Sequence, residues 1–217
     1  MITPVSLYVR RAASRAALCL LAGACGSAGA TVVSVHVAAV SGAPLPDAVV
    51  YLEAEGGPGQ AKALKSAEIE QKSLKFMPLV TVVQTGSRIE FPNNDKVRHH
   101  IYSYSAAHKF DQKLYSGTSA TPQIFDKAGV VVLGCNIHDK MVAYVRVVDT
   151  PYFAKSDASG LTRIDVPTAG KYVVKVWHFN MAGGQPVEQA MVIKPGDGEA
   201  SASFRLTMKP PASGDAL

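Results

Sequence analysis

The sequence predicts an all-β protein built from two β-sandwiches. Short segments of alternating apolar and polar residues recur along the chain with Gly, Pro, Asn and Asp between them, which is the pattern of β-strands joined by turns. Regular short strands of this kind indicate a sandwich. The 187 residues after position 30 are too many for one small sandwich, so a second is expected. The clearest segments lie at 32–40, 80–83, 89–91, 130–133, 142–148 and 172–176. A helical turn is expected only within residues 105–115.

The first thirty residues are expected to be a secretory signal peptide. Three arginines precede an apolar stretch at residues 16–24, and the small residues 28–30 form a cleavage site. Cleavage there would start the exported chain near Thr31 and place it in the periplasm. The alternative is a lipoprotein in which an acylated Cys25 anchors the chain to a membrane. No later segment is long and apolar enough to cross a bilayer.

The charge of the chain is close to neutral once this leader is removed. The formal net charge is +5, of which the three leader arginines contribute +3, leaving +2. So small a net charge gives no support for nucleic-acid binding. The oligomeric state is left open by the sequence.

Cys135 is the only cysteine after the leader, and it lies among other soft ligands. Residues 134–141 read GCNIHDKM, so a thiol, an imidazole and a thioether fall within seven residues at Cys135, His138 and Met141. One Cys and two His in a plane with a distant Met describe an electron-transfer copper site. The sequence therefore predicts copper here, with a second imidazole supplied by an earlier strand.

That imidazole is expected from a turn-forming run that leads into a β-prone segment, FPNNDKVRHHIY at residues 91–102. Successive side chains of a strand point to opposite faces. Ile101 is expected to face the core, so His99 points inward beside it. His100 then points outward or toward the neighbouring loop, and His99 is the predicted ligand.

These motifs together resemble the cupredoxins of the plastocyanin and amicyanin group. The resemblance covers residues 66–149 and implies a Greek-key β-sandwich that holds one type I copper. It makes His99, Cys135 and His138 the ligands of the plane and Met141 the weak axial ligand. The matching features are Phe76 and Pro78, Gly86 with the apolar strand 89–91, residues 93–99, Phe125, Gly129 and the Cys135-x-x-His138-x-x-Met141 spacing, which is similar to that of amicyanin.

The resemblance also implies a function. The chain is expected to be an electron carrier rather than a catalyst, with a cytochrome c or a periplasmic dehydrogenase as its redox partner. Two other classes stay open: a module that stores, delivers or senses copper without redox turnover, and a metal-free structural sandwich. Zinc is a further alternative, for which Asp139 or His100 would have to become a ligand.

Two positions depart from the usual cupredoxin pattern. His100 stands where many members have Asn, and Asn136 stands where they often have Ser or Thr. The Asn of those members ties the two ligand loops together. We expect His100 to make this tie by hydrogen bonding to Asn136 or to the backbone beside Cys135, and Asn94 to lie close to the ligands as well.

Two segments flank the predicted copper domain, at residues 31–65 and 150–208. They resemble the first and later strands of a transthyretin-like or carboxypeptidase-regulatory-like sandwich, with SGAPLPDAVVYL at 41–52 and VPTAGKYVVKV at 166–176. Each segment alone is too small to bury a stable core. We therefore predict one discontinuous sandwich in which strands of residues 32–54 pair with strands of residues 160–206. A disordered tail is expected at residues 209–217.

Overall fold

The computed structural model of the protein describes residues 30–57, 66–117, 121–167 and 169–210. Apart from Ala30, the predicted signal peptide with Cys25 lies outside the described residues, and so does most of the predicted tail. Every regular element of the described residues is a β-strand, which confirms the all-β class. None of these residues belongs to a helix that is long and apolar enough to span a membrane.

The part of the chain that the structure describes contains seventeen strands. In chain order they are β1 (Thr31–Ala39), β2 (Val49–Ala54), β3 (Ala67–Glu68), β4 (Glu70–Lys72), β5 (Lys75–Met77), β6 (Val80–Gln84), β7 (Ser87–Glu90), β8 (His99–Ser105), β9 (His108–Tyr115), β10 (Gln123–Phe125), β11 (Gly129–Cys135), β12 (Val142–Val148), β13 (Phe153–Lys155), β14 (Leu161–Val166), β15 (Gly170–Trp177), β16 (Val187–Ile193) and β17 (Glu199–Leu206).

Residues 66–149, which we call the site module, form three sheets. A five-stranded sheet has the order β6-β12-β11-β8-β9, a three-stranded sheet has the order β10-β7-β3, and β4 pairs with β5 in a separate hairpin. Alternation along β11 buries Val131, Leu133 and Cys135 and exposes Val132 between them. The buried residues join a core that also contains Ile89, Phe91, Ile101, Phe125 and Met141.

The two segments that flank the site module fold against each other, and we call them the flanking sandwich. They form a three-stranded sheet in the order β14-β1-β17 and a four-stranded sheet in the order β13-β2-β15-β16. Val33 pairs with Ile164, and Leu52 pairs with Val174. The predicted pairing of strands from residues 32–54 with strands from residues 160–206 is therefore confirmed, and the two sheets share one core. The likeness to transthyretin and the domain boundaries stay predictions.

The outer face of β12 packs the site module against the flanking sandwich. The Arg146 guanidinium donates to the Tyr51 hydroxyl at 2.6 Å and lies 5.2 Å from the centre of the Tyr51 ring and 6.0 Å from that of Trp177. A cation over an aromatic ring stabilises by about 0.5–2 kcal/mol, depending on its desolvation. Val80 and Val148 of the site module are also buried in the core of the flanking sandwich. The two halves of the molecule thus share their packing.

The helical turn expected within residues 105–115 is wrong. This segment closes a hairpin at Ser105 and His108 and continues as β9, an edge strand that pairs with β8. Burial alternates along most of β9, and Phe110 and Tyr115 pack against the core of the site module. Pairing with β8 satisfies the backbone groups, and this tertiary context overrides the weak local preference of the segment.

Candidate metal centre

Three side chains of the predicted ligand types meet where β8 and β11 lie side by side. Cys135 is the last residue of β11, His99 is the first residue of β8, and His138 lies in the loop after β11. The Cys135 sulfur is 3.8 Å from His99 Nδ1 and 3.8 Å from His138 Nδ1. The three ligand atoms all lie within 4.8 Å of one another. The fold therefore brings two imidazoles and one thiol to one point.

Strand alternation places His99 in this group and keeps His100 out of it. His99 and Ile101 are fully buried, whereas His100 between them is half-buried. Ile101 pairs with Cys135, so the inward faces of β8 and β11 adjoin. The prediction that His99 points inward is confirmed.

Met141, the predicted axial ligand, is buried in the same core as Cys135, with 1% of its surface exposed. Its backbone N–H donates to the His138 carbonyl at 2.9 Å and closes the ligand loop into a tight turn. This turn holds the segment that carries His138. Ligation by Met141 stays a prediction.

Asp95 is a residue of the site that the sequence analysis missed. Its Oδ2 atom lies 2.8 Å from His99 Nε2, and its carboxylate accepts the backbone N–H groups of Ser73 at 2.6 Å and Leu74 at 3.0 Å. Burial would raise the pKa of Asp95, but the hydrogen bonds from Leu74, His99 and Ser73 outweigh it and hold the pKa below its usual range. A charged carboxylate accepts a hydrogen bond from Nε2–H, which leaves the lone pair of His99 Nδ1 free to bind a metal. The only signal in the sequence was an acidic residue four positions before a predicted ligand.

The imidazole of His100 does not make the predicted link to Asn136. It is hydrogen-bonded to the Asp111 carboxylate on β9, and Asn136 is exposed. The backbone makes the link instead, because the Asn136 N–H donates to the His100 carbonyl at 3.2 Å. Alternation turns the His100 side chain to the outer face of the sheet, where β9 offers it a charged acceptor.

Asn94, which we expected close to the ligands, is exposed, and its side chain donates to Glu70 Oε1 at 2.8 Å. Its neighbour Asn93 is the buried residue of the two. The Asn93 Nδ2 group donates to the carbonyls of Val97 and Tyr115, both at 2.9 Å. These residues form a turn before β8, so strand alternation could not decide between the two asparagines.

A partly buried hydrogen-bond network supports the strand segment that carries His99. Gln71 Nε2 donates to the Tyr115 hydroxyl, which in turn donates to the Phe91 carbonyl at 2.5 Å. Burial raises the pKa of Tyr115 to about 12; the hydrogen bond from Gln71 opposes this rise, and the nearby Cys135 sulfur adds to it. Tyr115 is the pairing partner of His99 across β8 and β9.

His138 is the predicted ligand that reaches toward the surface. It is half-buried, whereas His99 and Cys135 are buried. Its neighbour Ile137 is 48% exposed, and Val97, in the loop before β8, is 45% exposed. Apolar side chains are therefore displayed on both segments that carry the ligands.

The donor set fits copper better than zinc. Two imidazoles, a thiolate and a weak thioether are the ligands of electron-transfer copper, whereas zinc needs four N, O or S ligands and rarely takes Met. Among the described residues, no further His, Cys, Asp or Glu joins the group. Asp139 is exposed and His100 is bonded to a carboxylate, whereas the thioether of Met141 is buried in the same core.

No family model matches the chain, and no curated protein matches it. Solved structures do match. A copper-containing nitrite reductase from Thermus scotoductus SA-01 is 24% identical with a TM-score of 0.37, and the match covers 41% of this chain and 24% of the reductase, so the chain spans about a quarter of its length. A purple cupredoxin from Nitrosopumilus maritimus is 22% identical with a TM-score of 0.34, covering 38% of this chain and 99% of that one. Amicyanin from Paracoccus versutus is 15% identical with a TM-score of 0.36, covering 45% and 98%.

Proposed function

We propose that the protein is an exported copper protein that carries single electrons between redox partners. The proposed type I site consists of His99, Cys135 and His138, with Met141 as a weak axial ligand. The observation that carries this proposal is the meeting of one sulfur and two imidazole nitrogens within 4.8 Å of one another. One thiol and two imidazoles are the ligand set of electron-transfer copper sites.

The protein's own contacts hold each ligand in place. The carboxylate of Asp95 orients His99, the pairing of Ile101 with Cys135 fixes the thiol, and the tight turn at Met141 positions the loop of His138. Copper, when bound, supplies a one-electron couple whose two oxidation states both accept this geometry. Ligands held on paired strands and a tight turn change little when the charge of the site changes, which suits rapid electron transfer.

Electrons are proposed to enter and leave through His138. Its imidazole is the half-buried edge of the ligand group, and the exposed Ile137 beside it offers an apolar contact surface. A cytochrome c or a periplasmic dehydrogenase is the proposed partner. This assignment goes with the expected export of the chain, which depends on the predicted signal peptide.

Burial of the ligands favours an electron carrier over a module that delivers copper. His99 is fully buried and Cys135 is 4% exposed. A delivery protein passes its metal to ligands of a partner, which requires access to the metal, whereas an electron needs only a short path through one exposed ligand edge. The same residues would bind copper in either case, so redox behaviour separates the two functions.

Adding Cu(II) to the purified protein tests the proposal. We expect one copper per chain and intense visible absorption from the bond to the Cys135 thiolate. The Cys135→Ser variant should lose this absorption. The matched control is His36→Ala, which removes an exposed imidazole from β1 and should leave the spectrum unchanged. Colour that persists in Cys135→Ser, or a wild-type protein that takes up no copper, would contradict the proposal.

A further inference from the structure

The hairpin formed by β4 and β5 has a strained two-residue turn. Its central residues, Ser73 and Leu74, have φ angles of 55° and 58°. Two successive left-handed residues define a turn that favours Asn-Gly, because other side chains clash with the backbone in that region. Ser and Leu are unsuited to it, and Leu74 is also 48% exposed, so packing does not explain its presence. Some other interaction must hold the turn.

That interaction is with the carboxylate of Asp95. Oδ1 accepts the Ser73 N–H at 2.6 Å, and Oδ2 accepts the Leu74 N–H at 3.0 Å. The same Oδ2 atom lies 2.8 Å from His99 Nε2. The Asp95 N–H in turn donates to the buried Asn93 side chain at 3.0 Å, which holds the carboxylate from its own backbone. One carboxylate therefore joins the hairpin tip to a proposed metal ligand.

The arrangement determines which nitrogen of His99 carries the proton. A carboxylate only accepts hydrogen bonds, so Nε2 is the protonated nitrogen and donates to Asp95. The lone pair then resides on Nδ1, the atom that faces the Cys135 sulfur at 3.8 Å. A rotated carboxylate, or a mobile one, would no longer enforce this tautomer.

We propose that the Ser73–Leu74 turn is a positioning element of the metal centre: its two N–H groups orient Asp95, and Asp95 holds His99 with Nδ1 directed at the metal. The relevance to copper rests on the proposed function, whereas the tautomer is a property of the protein itself. The strained turn is kept because its paired N–H groups fit both oxygens of one carboxylate. Leu74 contributes its backbone to this role, and its side chain is incidental.

Two substitutions at Leu74 form a matched pair that tests the proposal. Leu74→Gly removes the leucine side chain, but glycine adopts a positive φ without strain, so both N–H donors stay in place. Leu74→Val introduces a β-branched residue that does not tolerate a positive φ, so the turn should open and release Asp95. Asp95→Ala removes the carboxylate outright. All three change residues outside the core of the molecule, and dispersed amide spectra check that each variant is folded.

The direct readout is the pair of ¹⁵N chemical shifts of the His99 ring, recorded without added metal at a pH at which imidazole is neutral. We expect the Nε2–H tautomer in the wild type and in Leu74→Gly, and a mixture of tautomers in Leu74→Val and Asp95→Ala. Copper affinity should follow, unchanged in Leu74→Gly and lower by about 10–100-fold in the other two, as is usual when the partner of a ligating histidine is lost.

The proposal is overturned if Leu74→Val keeps the wild-type tautomer, or if Asp95→Ala does. It is also overturned if the wild type itself carries its proton on Nδ1. These outcomes are separate from failure of the proposed function. A wild-type protein that binds no copper contradicts the proposed function. The ¹⁵N chemical shifts of the His99 ring still decide whether the turn positions His99.

Discussion

His99 and His100 are adjacent in the chain, but we expect only His99 to be needed for copper binding. His99→Ala should abolish the visible absorption of the copper complex, because it removes a buried imidazole of the proposed ligand group. His100→Ala should keep the absorption and lower the free energy of unfolding by less than about 1 kcal/mol, since it loses only a partly exposed pair with Asp111. Visible spectra and urea unfolding of both variants check this. Equal loss of colour in the two would show that His100 also binds the metal.

Tyr115 should make stability depend on pH in the alkaline range. Its pKa is raised to about 12 in the folded protein, against about 10 in an unfolded chain. The phenol is therefore easier to ionise after unfolding. Its contribution to stability is full below pH about 10 and is lost as the pH rises through about 12.

Tyr115→Phe should cost about 1–2 kcal/mol of unfolding free energy at neutral pH, because the Gln71 side chain and the Phe91 carbonyl lose a partner. The difference between wild type and variant should shrink as the pH rises above about 10. Urea unfolding across this pH range measures it. A difference that grows with pH would show that the phenol is not held neutral.

The sequence predicts that the three side chains of His99, Cys135 and His138 meet, but not the residues that support them. The choice of His99 over His100 needed only the two-residue period of a strand. Asp95 was missed because its role depends on contacts with Ser73 and Leu74, which lie in a turn much earlier in the chain. That turn lacks the Asn-Gly pair by which it could have been predicted. For the same reason the predicted partner of His100 was wrong: Asp111 comes into reach only because β9 is a strand.

Among the elements, the turn between β13 and β14 should tolerate little change. A Cβ atom on Gly160 would lie 2.3 Å from the Val37 carbonyl oxygen, and the φ of Gly160 is +77°. The Gly160 carbonyl also accepts the Val37 N–H at 2.8 Å, which joins β14 to β1. Gly160→Ala must therefore shift backbone as well as adopt a left-handed conformation.

The matched control is Gly42→Ala, where φ is +93° and an added Cβ meets nothing within 4 Å. We expect the control to lose about 1–2 kcal/mol of unfolding free energy, the cost of the left-handed conformation alone. Gly160→Ala should lose about 1–3 kcal/mol more through overpacking. Equal losses of unfolding free energy in the two variants would mean that the backbone near Val37 moves away from the added Cβ at little energetic cost.

The strands themselves follow from alternation, but their partners needed a different argument. The pairing of residues 32–54 with residues 160–206 was predicted because neither segment alone buries a core, which is a statement about surface area. The hairpin of β8 and β9 was missed because residues 105–115 carry few apolar residues. Only the ladder with β8 makes that segment a strand.

For the whole molecule, the shared packing at Arg146, Val80 and Val148 predicts that both halves unfold together. Leu52→Ala in the fully buried core of the flanking sandwich should lower the free energy of unfolding by about 2–5 kcal/mol. The copper absorption should then disappear at the same lowered urea concentration as the β-sheet circular dichroism signal, because one transition removes both.

The control is Val192→Ala on β16 of the same sheet, where the side chain is 61% exposed and the expected loss is within about 0.5 kcal/mol. If the copper absorption survives after the flanking sandwich of Leu52→Ala has unfolded, the two halves are independent folding units.

Voltammetry of the copper-loaded protein decides whether the protein carries electrons. We expect a reversible one-electron couple that persists over repeated cycles with the copper retained, because His99, Cys135 and the turn at Met141 are held by the fold in both oxidation states. Cys135→Ser should lose the couple. An irreversible wave, with copper released on reduction, would contradict an electron carrier and favour a protein that stores or delivers the metal.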